Sequence, residues 1–301
     1  MSPVLRAHIF LFSAQVIYAL NYSIAKDLMP TYISPLGLVT IRIGGACLLF
    51  WALSLFLPTE KVERGDLKKL AVLSLFGVCI NQIFFIWGLS LTTPINSAII
   101  MVSNPIAVML FTFFVMREKI TALKVTGIGL GAAGALTLLL FRANGSFSIG
   151  SETITGDLMT LVNSLSWAIF VVMTKPYMQK YQTTTVMKWV FLAGTLFIFP
   201  WSTPELFNVQ WLQLPSHAII AMAFVVVATT FLAYLLNMYA LKTLSSSVVS
   251  MYIYLQPFLA TLIAVAWGKD SLNGIKIISA ALIISGVYLA GRKPKRLPDN
   301  A

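Results

Sequence analysis

Charge is what this sequence has least of. Only 10% of its 301 residues are Asp, Glu, Lys or Arg, against 58% that are hydrophobic. A water-soluble domain carries about 25% charged residues. So little charge leaves too little polar surface to cover a globule in water, which argues against a soluble fold. Acidic residues are scarcer still, at 10 against 21 basic ones. All of them (Asp27, Glu60, Glu63, Asp66, Glu118, Glu152, Asp157, Glu205, Asp270 and Asp299) sit at or beyond the ends of apolar runs. None lies mid-run, where proton relays usually place a carboxylate, so a carboxylate-based proton couple is not expected.

Other scarcities narrow the chemistry. The two cysteines, Cys47 and Cys79, lie inside apolar runs and read as packing residues, so no disulfide framework is implied. The two histidines, His8 and His217, lie at run ends and read as interface residues. No GxxxxGK[ST] loop is present. Gly129-x-Gly131-x-x-Gly134 matches a dinucleotide fingerprint by letter, but no strand precedes it. No cofactor and no metal site are expected. The net charge of +11 is spread over the ends of apolar runs and forms no stripe, so no nucleic-acid partner is expected.

Long apolar runs are what the chain has in excess. Ten can be marked, at 8–28, 35–57, 70–91, 95–116, 123–141, 156–178, 184–201, 216–241, 245–267 and 272–291. Each must be helical, because lipid offers the backbone no hydrogen-bond partner. The first run continues through Ile24 with no cleavage pattern and reads as a retained helix rather than a signal peptide. With the N-terminus cytoplasmic, 16 Lys and Arg residues fall on the inner side and 4 (Lys26, Arg142, Lys269 and Lys276) on the outer side. That bias predicts a multi-pass protein of the plasma (inner) membrane with both termini cytoplasmic.

The two halves resemble each other. Trp87, Asn104-Pro105, Glu118, Lys124 and Gly134 recur as Tyr239, Gln256-Pro257, Asp270, Lys276 and Gly286, always 152 residues on. Tyr18 and Lys26 match Trp167 and Lys175 more weakly. Five spans per half make the second copy enter from the opposite side. The expected fold class is therefore an all-α membrane protein of ten transmembrane helices, built as two inverted five-helix repeats. Residues 1–301 form one transmembrane domain: a first repeat over 1–141, a second, inverted repeat over 150–292, and a basic cytoplasmic tail over 293–301. Inverted repeats are a recurring transporter design, because two like halves of opposite orientation give a route to alternating access.

The candidate site residues follow from burial cost. Arg42 is the single strong charge within a span, about 10 Å inside its outer end. It reads either as a partner for a substrate carboxylate lining a cavity or as a snorkelling structural group. Asn21, Gln82, Asn104, Asn163, Tyr234, Asn237 and Gln256 are neutral polar residues near mid-span. Each either faces a wet cavity or bonds a neighbouring helix. Asn163 with Trp167, Tyr234 with Asn237, and Tyr252 with Gln256 pair an aromatic and an amide at i,i+3 or i,i+4, hence on one helix face. Pro105 and Pro257 are hinges or static kinks. Glu118 and Asp270 either pair across the repeats as a latch or are solvated. Gly127 and Gly131 form a GxxxG pair, and with Gly134 and Gly286 they mark close helix packing.

These features resemble the drug/metabolite transporter superfamily of EamA type. The resemblance rests on Asn104-Pro105 with Arg117-Glu118-Lys119, its repeat Gln256-Pro257 with Lys269-Asp270, the spaced Gly127 to Gly134 and Ser279 to Gly286, the stretch Tyr18 to Lys26, and Arg42. It covers nearly the whole chain. It implies a ten-helix fold around a central cavity and export of amino acids or related metabolites. One departure is that Val190 stands near the place of Arg42 in the second half, so a site using Arg42 is asymmetric. The expected function is a secondary transporter, exporter or facilitator, moving a small polar metabolite, and not an enzyme. The expected partners are the lipid bilayer and a small-molecule substrate, with a homodimer through the glycine-rich fifth and tenth spans left open. The competing readings are a membrane enzyme acting on lipid-linked substrates and a sensor without flux.

Overall fold

A computed structural model describes residues 1–143, 153–266 and 273–291. Ten helices in it are long and apolar enough to cross a membrane: α1 (Pro3–Leu28), α2 (Pro35–Ser54), α3 (Arg64–Leu91), α4 (Pro94–Met116), α5 (Ala122–Phe141), α6 (Ile154–Lys180), α7 (Thr183–Ser202), α8 (Ser216–Thr243), α9 (Ser246–Ile263) and α10 (Gly274–Gly291). Ser2, Ser34, Thr93 and Ser245 cap α1, α2, α4 and α9 by accepting a backbone N–H, and the first three of these helices carry proline in the first turn, where no N–H is needed. The α3 helix starts at Arg64, six residues before the apolar run, because Arg64, Asp66, Lys68 and Lys69 form polar turns ahead of the lipid-matched stretch.

Packing is paired across the halves. Helix α1 packs along α8 and α6 along α3, α2 lies against α7, and α5 lies against α10. Leu48, Phe114, Leu196 and Trp201 point outward, as a lipid-facing surface requires. Several contacts recur when the halves are exchanged. Lys26 Nζ on α1 donates to the carbonyls of Leu89, Ser90 and Thr92 at 2.8, 2.8 and 3.0 Å. Lys175 on α6 donates to those of Leu241 (3.0 Å) and Leu244. Each ammonium satisfies the last, orphaned carbonyls of a helix, at the negative end of its dipole. Asn104 Nδ2 likewise donates to Ser164 O on α6 at 2.7 Å, and Gln256 Nε2 to Gln15 Oε1 on α1 at 2.7 Å.

The regular helix is interrupted at matched places. Leu75–Ile80 in α3 and Val225–Leu232 in α8 are π-helical. Helix α4 breaks at Val102 and Ser103, and α9 tightens into a 3-10 turn at Tyr252–Tyr254. Pro105 and Pro257 stand just after these breaks, near the start of the next helical piece, where a missing N–H costs least.

Among the described residues, no hydrogen bond or ion pair ties Glu118 to the other half. It pairs instead with Lys124 of its own half at 3.2 Å, since the six-residue turn brings the two together. Asp270 lies outside the described residues. The cross-half ties at one face are Lys180 to Glu63 (2.8 Å) and Asp66 (2.7 Å), with Tyr181 Oη donating to Asp66 at 2.8 Å. At the other face Ser34 donates to Glu205 at 2.7 Å, and Tyr32 Oη lies 3.0 Å from His217 Nε2.

Glycine sets the approach of α5 and α10. A Cβ on Gly286 would lie 2.5 Å from Gly127 O and 2.7 Å from Gly131 N, and one on Gly134 would lie 2.7 Å from Ser279 O. Gly131 also makes room for the ring of Tyr254. The glycine faces are thus occupied within the chain. Backbone cannot yield as a flexible side chain can, so Gly286→Ala is expected to destabilise the protein by about 1–3 kcal/mol. Gly129→Ala, with nothing within 4 Å, is expected to be neutral. Thermal melts of both variants in detergent check this.

Candidate functional site

A central cavity of about 80 Å³ lies between α1, α2, α3, α4, α6, α8 and α9. Helix α1 contributes Gln15, Tyr18, Asn21 and Tyr22, and α2 contributes Arg42. Asn81 and Phe85 come from α3, Asn163 and Trp167 from α6. Helix α8 adds Thr229, Tyr234 and Asn237, and α9 adds Val249, Ile253 and Gln256, with Met101 from α4. No carboxylate is among these side chains.

Arg42 is the only ion in that lining. It is 3% exposed, which excludes the snorkelling alternative. Its Nε donates to Thr230 Oγ1 on α8 at 3.0 Å. Its Nη1 has no hydrogen-bond partner, and no ion pair among the described residues includes it. A desolvated guanidinium without a counter-charge is costly unless an anion joins it. Among the described residues, Asn21 Oδ1, Asn163 Oδ1 and Thr229 Oγ1 are also buried without partners. The cavity therefore holds one strong donor and several acceptors whose hydrogen-bonding capacity the protein does not fill.

The rest of the lining is tightly held. Tyr234 Oη sits 2.9 Å from both Gly77 O and Asn81 Oδ1, and accepts from Gln82 Nε2 at 3.4 Å. Asn163 Nδ2 donates to Asn81 O at 2.7 Å. The Tyr234 ring packs edge-on against Trp167 and Phe191, each with centroids 5.3 Å away, and Tyr22 packs edge-on against Phe85 at 5.6 Å. These aromatic walls are rigid, and they offer apolar faces beside the polar groups.

Seven of the residues singled out from sequence line the cavity: Asn21, Arg42, Asn163, Trp167, Tyr234, Asn237 and Gln256. Three do not. Gln82 stands behind Tyr234, and its neighbour Asn81 takes the lining position, because the π-helical turn before it inserts a residue and rotates the face. Asn104 is fully buried and spent on bonding α6. Tyr252 turns away from Gln256, since the 3-10 turn breaks the i,i+4 register, and its Oη lies 2.6 Å from His8 Nδ1 in a separate cleft. Gln15, Tyr18, Tyr22, Asn81 and Phe85 also line the cavity and are not among the site residues singled out from sequence. Gln15, Tyr18 and Tyr22 lie on one helical stripe, and so do Asn81 and Phe85; that spacing is a signal already present in the sequence. Nothing in the sequence marked Thr229.

Ten apolar helices, seven of them around a polar, arginine-bearing cavity, define a multi-pass integral membrane protein. The model of the EamA-like transporter family matches residues 5–140 and 154–292, and the chain belongs to that family, within the drug/metabolite transporter superfamily. It is a transporter and not an enzyme. It is 25% identical over 295 residues to the uncharacterized transporter YyaM of Bacillus subtilis (strain 168), covering 95% of this chain and 93% of that one. It is 21% identical over 238 residues to a probable terminal-alkyne amino-acid exporter of Streptantibioticus cattleyicolor, covering 79% and 77%. A crystal structure of a protein 22% identical to it aligns with a TM-score of 0.76, covering 100% of this chain and 99% of the other, and shows the same fold.

Tyr234→Phe removes a hydroxyl that serves three neighbours. It is expected to cost about 1–3 kcal/mol of stability by leaving buried amide groups unpaired. Denaturation in detergent micelles, read beside wild type, checks this.

Proposed function

We propose that the chain is a secondary transporter, an exporter or facilitator, that moves an amino acid or related compound by alternating access at the central cavity. The observation that carries this reading is the set of unfilled valences there. Arg42 Nη1 is a cationic donor without an acceptor, and Asn21 Oδ1 and Asn163 Oδ1 are acceptors without a donor. A small zwitterion fills both, with its carboxylate on the guanidinium and its ammonium on the amide oxygens. The aromatic walls take its side chain. The relative described as an amino-acid exporter supports the substrate class.

Alternating access is supported by the contacts that recur when the halves are exchanged. In an inverted pair, residues 1–141 and 150–292 are the two repeats, and the Lys26 and Lys175 caps lie toward opposite faces. The excess of Lys and Arg favours the inner membrane with both termini cytoplasmic, and the tail over 293–301 belongs to that face.

Counterflow into proteoliposomes with a radiolabelled mixture of the protein-forming L-amino acids tests the proposal. Wild type is expected to accumulate label, and Arg42→Gln to lose at least about 90% of the rate, as removal of a charge-assisted contact of about 1.5 kcal/mol or more implies. Asn163→Ala and Asn237→Ala are expected to cut flux while the protein still folds. Absence of wild-type counterflow, or full flux in Arg42→Gln, sinks the reading.

A further inference from the structure

We infer that Thr230 is the positioning residue of the substrate site, acting through Arg42 and not on the substrate itself. The inference rests on the proposal that Arg42 receives a carboxylate, and it adds what aims the guanidinium. Thr230 does not line the cavity. It is fully buried on α8, inside the π-helical segment Val225–Leu232.

Its hydroxyl has two jobs that fix each other. The hydrogen is donated to Val225 O, five residues back, at 2.8 Å. Threonines in the regular helices here, such as Thr40 and Thr195, instead reach a carbonyl four residues back. With its hydrogen committed, Thr230 Oγ1 presents only lone pairs, and it accepts from Arg42 Nε at 3.0 Å. That bond holds one edge of the planar guanidinium. The Nη end is left for a ligand, and Nη1 is the atom without a partner. A guanidinium held at Nε presents its paired terminal nitrogens in the fork that matches a carboxylate bidentately.

The residue carried on the π turn, not the turn itself, is what makes this arrangement local to one half. The matching π segment of α3, Leu75–Ile80, carries Val78 at the place 152 residues before Thr230, and valine has no hydroxyl. The second half has Val190 near the place of Arg42. The guanidinium and its brace thus come one from each half, and neither half holds a copy of the pair.

The test compares Thr230→Val, Thr230→Ser and Arg42→Gln in the same counterflow assay, over a range of concentrations of the labelled L-amino-acid mixture. Thr230→Val keeps shape and removes the hydroxyl. Its half-saturation concentration is expected to rise about fivefold or more, with maximal counterflow within about twofold of wild type. Thr230→Ser restores the wild-type value. Added to Arg42→Gln, Thr230→Val changes nothing further, because the two act as one unit. If the valine variant does not reach the membrane folded, Thr230→Ala makes the same comparison. An unchanged half-saturation in Thr230→Val, or a serine variant as poor as valine, overturns the role of Thr230 while loss of flux in Arg42→Gln leaves the site intact. Full flux in Arg42→Gln overturns both.

Discussion

Lipid offers nothing to hydrogen-bond with, and most of this structure answers to that constraint. Backbone groups are satisfied by the helices themselves, and where a helix ends below the surface another group must supply the partner. Lys26 and Lys175 do this for the ends of α3 and α8, each ammonium meeting carbonyls that a helix cannot pair. Asn104 and Gln256 do it side chain by side chain between neighbouring helices. The same constraint gives meaning to what is left unpaired. Arg42, Asn21 and Asn163 line the cavity, and among the described residues each keeps one buried polar atom without a partner there.

Close packing does the rest. Helices in lipid gain little from burying apolar side chains against one another, so they rely on shape and on approach of backbones. Gly127, Gly134 and Gly286 let α5 and α10 come within backbone contact, and Gly88 and Gly156 do so where α3 crosses α6. Of the seven helices around the cavity, α4 and α9 touch this pair. The irregular turns of the seven supply Thr229 and Ile253 to the lining, at Val225–Leu232 and Tyr252–Tyr254, or adjoin the lining residues Asn81 and Met101, at Leu75–Ile80 and Val102–Ser103. Matched interruptions in the two halves carry different residues, and this turns a repeated scaffold into an asymmetric site.

The sequence by itself determined the number of spans, their helical nature, the internal repetition and the family. The spans and their helical nature follow from composition and periodicity, which lipid reads without reference to tertiary structure; the repetition follows from motifs 152 residues apart, and the family from the residues that resemble it. It also pointed to Arg42 and to the amide and aromatic pairs Asn163 with Trp167 and Tyr234 with Asn237, because a polar side chain at mid-span is costly wherever it points. What only the tertiary structure decided is direction. Asn104 and Gln256 match in the sequence, yet one is sealed between helices and the other lines the cavity. Gln82 and Tyr252 were displaced from the site by a π turn and a 3-10 turn, which change the register by one residue and leave no trace in hydropathy. Whether Glu118 reached across the halves or stayed with Lys124 was likewise a matter of position, and so was the meeting of Arg42 with a threonine 188 residues away. Periodicity fixes which face a residue occupies on an ideal helix; the physical reason it stops there is that a site is made where helices depart from the ideal and where distant segments meet.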